Sequence, residues 1–402
     1  MTRQNTLDLI GSLLRPGGIL ILAAWALQHE EVVRASAVPY VPYFCFGALT
    51  TAVLLSWYYD QARLICLAAA LILTVLALKQ WPDAVHTGKL AVVLLLPLNV
   101  LACAFIEERG VLTPLGVAQI AGIGGQVFGV TWIAGANYAG VDAVVGWGAR
   151  GTAFTWLPWT AQLLYALTAL GLLVMVFRRR TTVDQGLFWT VVAMGFAAHS
   201  MSDPAGLFIY AGTAGLVLVF TVLEHGYDIA YRDDLTGLPG RRAFNTAVHQ
   251  LTGSYSIAVC DVDNFKHFND TYGHEVGNQA LRMVASKLAQ VGGGGRAFRY
   301  GGEEFLIVFR GRTARQAEPF AEALRRDVGG TSFVVRGPNR PARRPAHPVK
   351  PAGPGAPPIH ITISIGIAER SSTHNSPERV LDAADAALYK AKEAGRDCVK
   401  LA

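Results

Sequence analysis

Stretches of about twenty apolar residues, repeated through the first 223 positions, constrain this chain more than any other feature. They run at roughly 17–34, 41–59, 62–79, 90–106, 112–134, 155–177, 186–202 and 204–223. A helix needs about 20 such residues to cross the ~30 Å hydrocarbon layer of a bilayer. The pattern therefore predicts an α-helical bundle of about eight membrane spans, the first cut short by Glu30 and Glu31. Trp25, Trp57, Trp81, Trp132, Trp156, Trp159 and Trp189 fall near run ends, where interfacial aromatic belts sit. With the N-terminus inside, Arg3, Arg15, Arg63, Arg109 and Arg178–Arg180 face the cytoplasm, against Arg34, Lys79, Lys89 and Arg150 outside. That bias leaves the chain on the inner side after the last run. No cleavable leader is evident around Arg15 and Pro16.

Charge then divides the chain. Residues 1–230 hold 11 Lys+Arg and 12 Asp+Glu, whereas 231–402 hold 24 and 17. The expected organisation is a membrane domain over 1–223, a short helical joint over 224–232 and a soluble domain over 233–402. The net charge of +6 is no sign of a nucleic-acid partner, because Arg336, Arg340, Arg343, Arg344 and Lys350 carry five of the second half's surplus of seven. Those residues belong to a Pro/Arg-rich stretch whose part at 337–358 holds eight prolines, expected as an unstructured insertion. Its plain reading is a tolerated surface insertion; its basic charge also suits anionic membrane lipid. The five cysteines show no CxxC or metal spacing and read as small buried hydrophobes. Asn99, Gln119, Gln126, His199 and Asp203 lie in or beside the apolar runs and are candidate sensor positions. Interhelical hydrogen bonding or placement at a helix end is the favoured reading of each. A transporter is the less favoured reading of this half, since intramembrane charges are few and no broken-helix pattern appears.

In the second half, Asp233-Asp234-Leu235-Thr236-Gly237-Leu238-Pro239-Gly240 is a helix-breaking turn, with a short helix following to about Gln250. Tyr255–Cys260 reads as a buried strand followed by a loop through Gly273. A helix over 274–290 carries Val276, Ala280, Val284 and Leu288 on one face. Gly292–Gly295 is a flexible break, and Ala297–Tyr300 with Phe305–Phe309 form a hairpin. A helix near 315–328 follows, then strands over Ser332–Arg336 and Ile359–Ala368. The last helix opens on Ser376 and Pro377 and stops before Gly395. The order βαββαβ predicts an α+β, palm-like antiparallel sheet with helices on one face.

The chemistry gathers around Arg299-Tyr300-Gly301-Gly302-Glu303-Glu304-Phe305. Two glycines then two carboxylates make a tight turn with acid at its rim, while Asp261 and Asp263 close the buried strand upstream. Strand-end carboxylates facing such a hairpin suit Mg²⁺, which takes oxygen ligands and keeps room for phosphate. A metal pair is able to polarise phosphate and activate a hydroxyl. Lys390, Lys392 and Arg396 around the last helical turn supply counter-charge for a triphosphate, although capping of a surface helix explains them as readily.

Residues 233–402 resemble the GGDEF-domain diguanylate cyclases. The resemblance rests on Asp234-Leu235-Thr236-Gly237-Leu238, Asp261-Val262-Asp263, Phe265-Lys266, Asn269-Asp270, Gly273-His274, the Arg299–Phe305 signature, Ser364-Ile365-Gly366, Ala384-Asp385, Tyr389, Lys392 and Gly395-Arg396. It implies condensation of two GTP into cyclic di-GMP and two pyrophosphates across a homodimer. Two Mg²⁺ per active site are implied, with Mn²⁺ as a substitute. By the same resemblance Asp261, the Val262 carbonyl and Glu303, with Glu304 beside it, hold metal. Glu303 or Glu304 takes the proton of the 3′-hydroxyl, and Lys266 stabilises transition-state charge. Phe265, Lys392 and Arg396 bind phosphates, Asn269 reads guanine and His274 lines the site. The implied setting is a bacterial inner membrane, multi-pass, with the catalytic domain cytoplasmic and under control of a membrane sensor. Three positions depart from the pattern. Asn278 stands where Asp is usual, so one acceptor replaces two toward guanine. Gly292–Gly295 replaces a product-binding Arg-x-x-Asp, and Gly240 replaces a common Asn. A catalytically degenerate module that binds GTP or a partner stays open as the alternative.

Overall fold

The computed structural model describes residues 14, 16–80, 86–106, 108–136, 159–179, 181–200, 203–333 and 359–402. The insertion at 337–358 and positions Arg3, Arg15, Trp81, Arg150, Trp156, Arg180 and 334–336 lie outside the described residues. The chain divides into two compact units, Met1–Tyr227 and Asp228–Ala402.

The first unit is helical. Its described helices are α1 (Gly17–His29), α2 (Glu31–Ala37), α3 (Val41–Tyr58), α4 (Ala62–Gln80), α5 (His86–Phe105), α6 (Pro114–Ala136), α7 (Trp159–Arg179), α8 (Thr182–His199) and α9 (Pro204–Tyr231). Each apolar run thus carries a helix, and five of these, α3, α4, α5, α7 and α9, are long and apolar enough to cross a membrane. Helix α9 is buried along most of its length through Val222. Small residues let it pack closely. A Cβ at Gly215 would stand 3.0 Å from the Leu49 backbone nitrogen, and one at Gly186 would collide with Thr221.

Most of the polar candidates of this unit are tied up in the fold. Asn99 and Gln126 exchange reciprocal amide hydrogen bonds of 2.9 Å between α5 and α6. Asp203 caps the start of α9 and accepts from Arg34 at 2.6 Å and from Gln28. His199 lines a cavity beside Tyr165, and the Gln119 carbonyl oxygen is buried with no partner among the described residues.

In the second unit β1 (Tyr255–Val262) is the middle of a five-stranded sheet ordered β2-β3-β1-β6-β7. Strands β2 (Gly295–Gly301), β3 (Glu304–Arg310) and β6 (Ile363–Glu369) run antiparallel to their neighbours. The edge strand β7 (Val399–Leu401) pairs parallel with β6, which makes the sheet mixed rather than antiparallel throughout. Every residue of β1 is buried, as a strand covered on both faces must be.

That burial corrects the one-sided expectation. Ala258, Cys260, Phe305, Ile307 and Ile365 face α12 (His274–Leu288) and α13 (Ala314–Gly329). Ile257, Val259, Leu306 and Val308 face α10 (Arg241–His249) and α14 (Pro377–Glu393). Helices therefore cover both faces, because both sets of alternating β1 side chains are mainly apolar.

Three other expectations change. The segment read as a loop through Gly273 contains α11 (Phe265–Tyr272), whose apolar side is three aromatics, with Phe265 stacked on Phe268 at 6.2 Å and Tyr272 tilted against Phe268 at 4.9 Å. The strand expected over Ile359–Ala368 is two: β5 (Ile359–His360) pairs with β4 (Ser332–Phe333) in a separate ribbon, and β6 joins the main sheet. The glycines at 292–295 form a turn rather than a slack break. Arg312 donates to the Gly293 carbonyl at 2.6 Å, and Phe320 stands where a Cβ at Gly293 would go.

Candidate active site

The site grows from the end of β1. By strand alternation Asp261 falls on the α14 face with Ile257 and Val259, and it is only 5% exposed. Across the sheet it lies opposite Glu304 on one side and Ser364 on the other. The β2–β3 hairpin turns through Gly302 and Glu303, with Gly302 at φ 36° and a bulge between Arg299 and Gly301. The Val262 amide donates to the Glu303 carbonyl at 3.3 Å, which brings the tip of the hairpin against the strand end. A Cβ at Gly301 would meet only open space, so that side of the turn is clear for a ligand.

Helix α14 brings positive charge to this acid. Gly366 on β6 permits it: a Cβ there would collide with the backbone at Ala384 and Leu388. With α14 pressed onto the sheet, Lys392 reaches Asp261 at 2.9 Å. Burial raises the Asp261 carboxyl above the usual range; the Lys392 hydrogen bond and charge and the Arg396 charge oppose that, and Asp263 adds repulsion. Burial likewise raises Glu303, helped by repulsion from Asp261 and Glu304 and opposed by Lys392. The structure thus brings Asp261, Glu303, Glu304, Lys392 and Arg396 into one electrostatic neighbourhood.

Asp263 has a different fate from Asp261. It accepts from Ser364 Oγ at 2.7 Å, Thr362 Oγ1 at 2.8 Å and the Asp397 amide at 3.1 Å. Three donors saturate it as a structural knot between β1, β6 and the turn after α14. Gly395, Arg396 and Asp397 in that turn all have positive φ, at 106°, 67° and 45°. Left-handed backbone costs a non-glycine residue roughly 1–2 kcal/mol, so the knot holds a conformation the two residues would otherwise leave.

The substrate-side candidates lie on α11 and α12. Asn264 at φ 54° starts α11, placing Phe265, buried, and Lys266, exposed, in its first turn, where free amides suit phosphate. Asn269 lies against Gly277, where any Cβ would collide with its side-chain oxygen. That oxygen is buried with no hydrogen-bond partner among the described residues. Asn278 follows Gly277 on α12 and is exposed, as is His274 at the helix start.

A further support was not foreseen from the sequence. Arg299 donates to the Gly302 carbonyl at 2.7 Å and to Asp233 at 2.7 Å, and Asp233 also accepts from the Thr236 amide and hydroxyl. The Asp233–Leu238 turn is therefore riveted to the acidic hairpin. The Asp-x-x-Thr spacing was its one visible signal, since such residues hydrogen-bond nearby backbone.

Among the described residues no three His, Cys, Asp or Glu side chains form a ready-made metal cage. Two crowded carboxylates with raised proton affinity and an adjacent strand-end carbonyl nevertheless fit Mg²⁺, which is bound through one or two carboxylates plus phosphate oxygens and water.

Residues 230–341 and 349–398 match the family model described as diguanylate cyclase, GGDEF domain. The second unit carries a GGDEF domain. Among curated relatives, the response regulator PleD of Caulobacter vibrioides is 34% identical over 185 residues, 44% of this chain and 37% of PleD. The diguanylate cyclase VdcA of Vibrio cholerae is 34% identical over 171 residues, 42% of this chain and 45% of VdcA. The chain thus spans less than half the length of these relatives. Among solved structures, the coiled coil and GGDEF domain of DgcB from Caulobacter crescentus, in complex with c-di-GMP, is 32% identical. That match covers 45% of this chain and 90% of the solved one, with a TM-score of 0.38.

Proposed function

We propose that this chain is a membrane-anchored diguanylate cyclase. Its GGDEF domain condenses two GTP into cyclic di-GMP and two pyrophosphates. In each of two equivalent steps the 3′-oxygen of one GTP bonds to the α-phosphorus of the other, and the bond to pyrophosphate breaks. The observation that carries the reading is the meeting of the Asp261 and Glu303 carboxylates, both raised by burial, with Lys392 at 2.9 Å from Asp261.

Asp261, Glu303, Glu304 and the Val262 carbonyl would hold two Mg²⁺ ions. When bound, magnesium polarises the phosphate and acidifies the attacking hydroxyl. Glu303 or Glu304 accepts the hydroxyl proton. Lys392 and Arg396 neutralise the triphosphate, and the first turn of α11 at Phe265 and Lys266 binds phosphate through its amides, with the Lys266 ammonium stabilising developing charge. Asn269, whose side-chain oxygen has no hydrogen-bond partner among the described residues, reads the purine edge beside Asn278, and His274 lines the substrate site. Because each domain holds one GTP, two copies must face each other, and catalysis requires a homodimer.

The first unit is read as a multi-pass membrane sensor of about eight spans, with the catalytic domain cytoplasmic. A signal there would change how often two loaded domains meet. Product analysis of the purified protein with GTP and Mg²⁺, beside Glu303→Ala, tests the reading. Cyclic di-GMP from the wild type and none from the variant is expected; equal turnover by Glu303→Ala would overturn the site.

A further inference from the structure

Resting on the reading that this domain binds GTP, we propose that Arg325 is a positioning residue for the triphosphate, holding from α13 the left-handed turn that carries Arg396. The turn is fastened on one side by the Arg396 amide to the Ala391 carbonyl at 3.1 Å and by the Asp397 amide to Asp263. On the other side it faces a cleft of about 410 Å³ lined by Glu318, Glu322, Arg325 and Asp397, among others. Across that cleft Arg325 Nη1 donates to Asp397 Oδ1 at 2.6 Å.

The guanidinium is aimed by a bidentate pair with Glu322, at 2.8 Å through Nε and 2.7 Å through Nη2, and its side chain is only 17% exposed. Two-point fixation gives the group one orientation, so its remaining nitrogen presents a fixed point to the turn. The pair also solves a charge problem. The Asp397 amide sits on the Asp263 carboxylate while Asp397 carries a carboxylate of its own, and Arg325 supplies the cation that lets both acids share this corner. Without it the turn relaxes toward right-handed backbone and Arg396 is carried away from the phosphate side.

The neighbour Arg326 provides an internal control. It bonds the same Glu322 at 2.8 Å, yet its side chain is 73% exposed and among the described residues its one carboxylate partner is Glu322. The full-length protein in detergent is titrated by calorimetry with a non-hydrolysable GTP analogue and Mg²⁺, and steady-state turnover is measured in parallel. Arg325→Leu is expected to weaken the analogue and raise KM about tenfold, with kcat held within about twofold. Arg325→Lys recovers part of the loss, and Arg326→Leu changes neither value. Equal analogue affinity in wild type and Arg325→Leu overturns the inference alone. So does a loss that tracks a lowered melting temperature and is matched by Arg326→Leu. A wild type that binds no analogue overturns the reading of the site and this inference with it.

Discussion

The closest backbone approach behind the site offers a demanding test, the substitution Gly366→Ala. An added Cβ on β6 would stand 2.7 Å from the Ala387 carbonyl carbon and closer still to the Leu388 nitrogen and Ala384 oxygen. Comfortable carbon contacts begin near 3.5 Å. All three obstacles are backbone, so no side-chain rotation relieves them, and α14 must retreat by roughly 1 Å. Overpacking of this kind costs about 1–3 kcal/mol of stability. The functional cost is separate: Lys392 is 2.9 Å from Asp261, and a 1 Å retreat takes the pair beyond the ~3.5 Å hydrogen-bond limit. Misplacing Lys392 and Arg396 by that distance should cut turnover about a hundredfold. Urea unfolding of residues 228–402 measures the first effect, and GTP turnover by the folded fraction measures the second. Stability within about 0.5 kcal/mol of wild type together with normal turnover would show that α14 is not held by this contact.

Asp261→Asn is expected to stabilise the metal-free domain near neutral pH while abolishing turnover. Burial raises the Asp261 carboxyl, so its stabilising contribution is present below the unfolded-state pKa and is lost as pH rises through the higher folded-state one. The gain in melting temperature should therefore shrink toward acid pH; a loss of stability at neutral pH would contradict this. Arg299→Ala severs bonds to Asp233 and the Gly302 carbonyl and should cost about 2 kcal/mol. Burial favours the protonated Asp233, but Thr236 and Arg299 hold its carboxyl below the usual range. That stability is present above the unfolded-state pKa and fades as pH falls through the folded one, so the variant should show a flatter acid limb in its melting profile. Asn278→Asp restores a second acceptor toward guanine and should raise the preference for GTP over ATP about tenfold in a competition assay; an unchanged ratio would remove Asn278 from base recognition.

The sequence disclosed what depends on periodicity and spacing, and hid what depends on approach. The α14 boundaries were legible because Ser376, Pro377 and Gly395 are capping residues, and Ser376 does accept from the Arg379 amide at 3.4 Å. The eight apolar runs were legible as helices, although five of the described helices satisfy the length and hydropathy of a span. Helix α11 was not, because its Asn269, Asp270 and Thr271 carry turn chemistry, and only its aromatic stripe favours the helix. The two faces of the sheet were misjudged because a strand with apolar residues on both faces has little alternation to read.

Asp261 and Asp263 make the same point at the site. They are two apart, Asp261 within β1 and Asp263 one residue past its end at Val262, and in sequence both present a strand-end carboxylate. Ser364 and Thr362 lie about a hundred residues later, and only the β1–β6 register brings them to Asp263. An acid that receives three neutral donors has its oxygens engaged within the fold and has little room for a cation. An acid buried beside Glu303 with one lysine is left short of compensation, and that shortage is the reason we propose Asp261 as the place for metal and triphosphate. The division of labour between the two aspartates is thus written in their hydrogen-bond partners, not in their spacing.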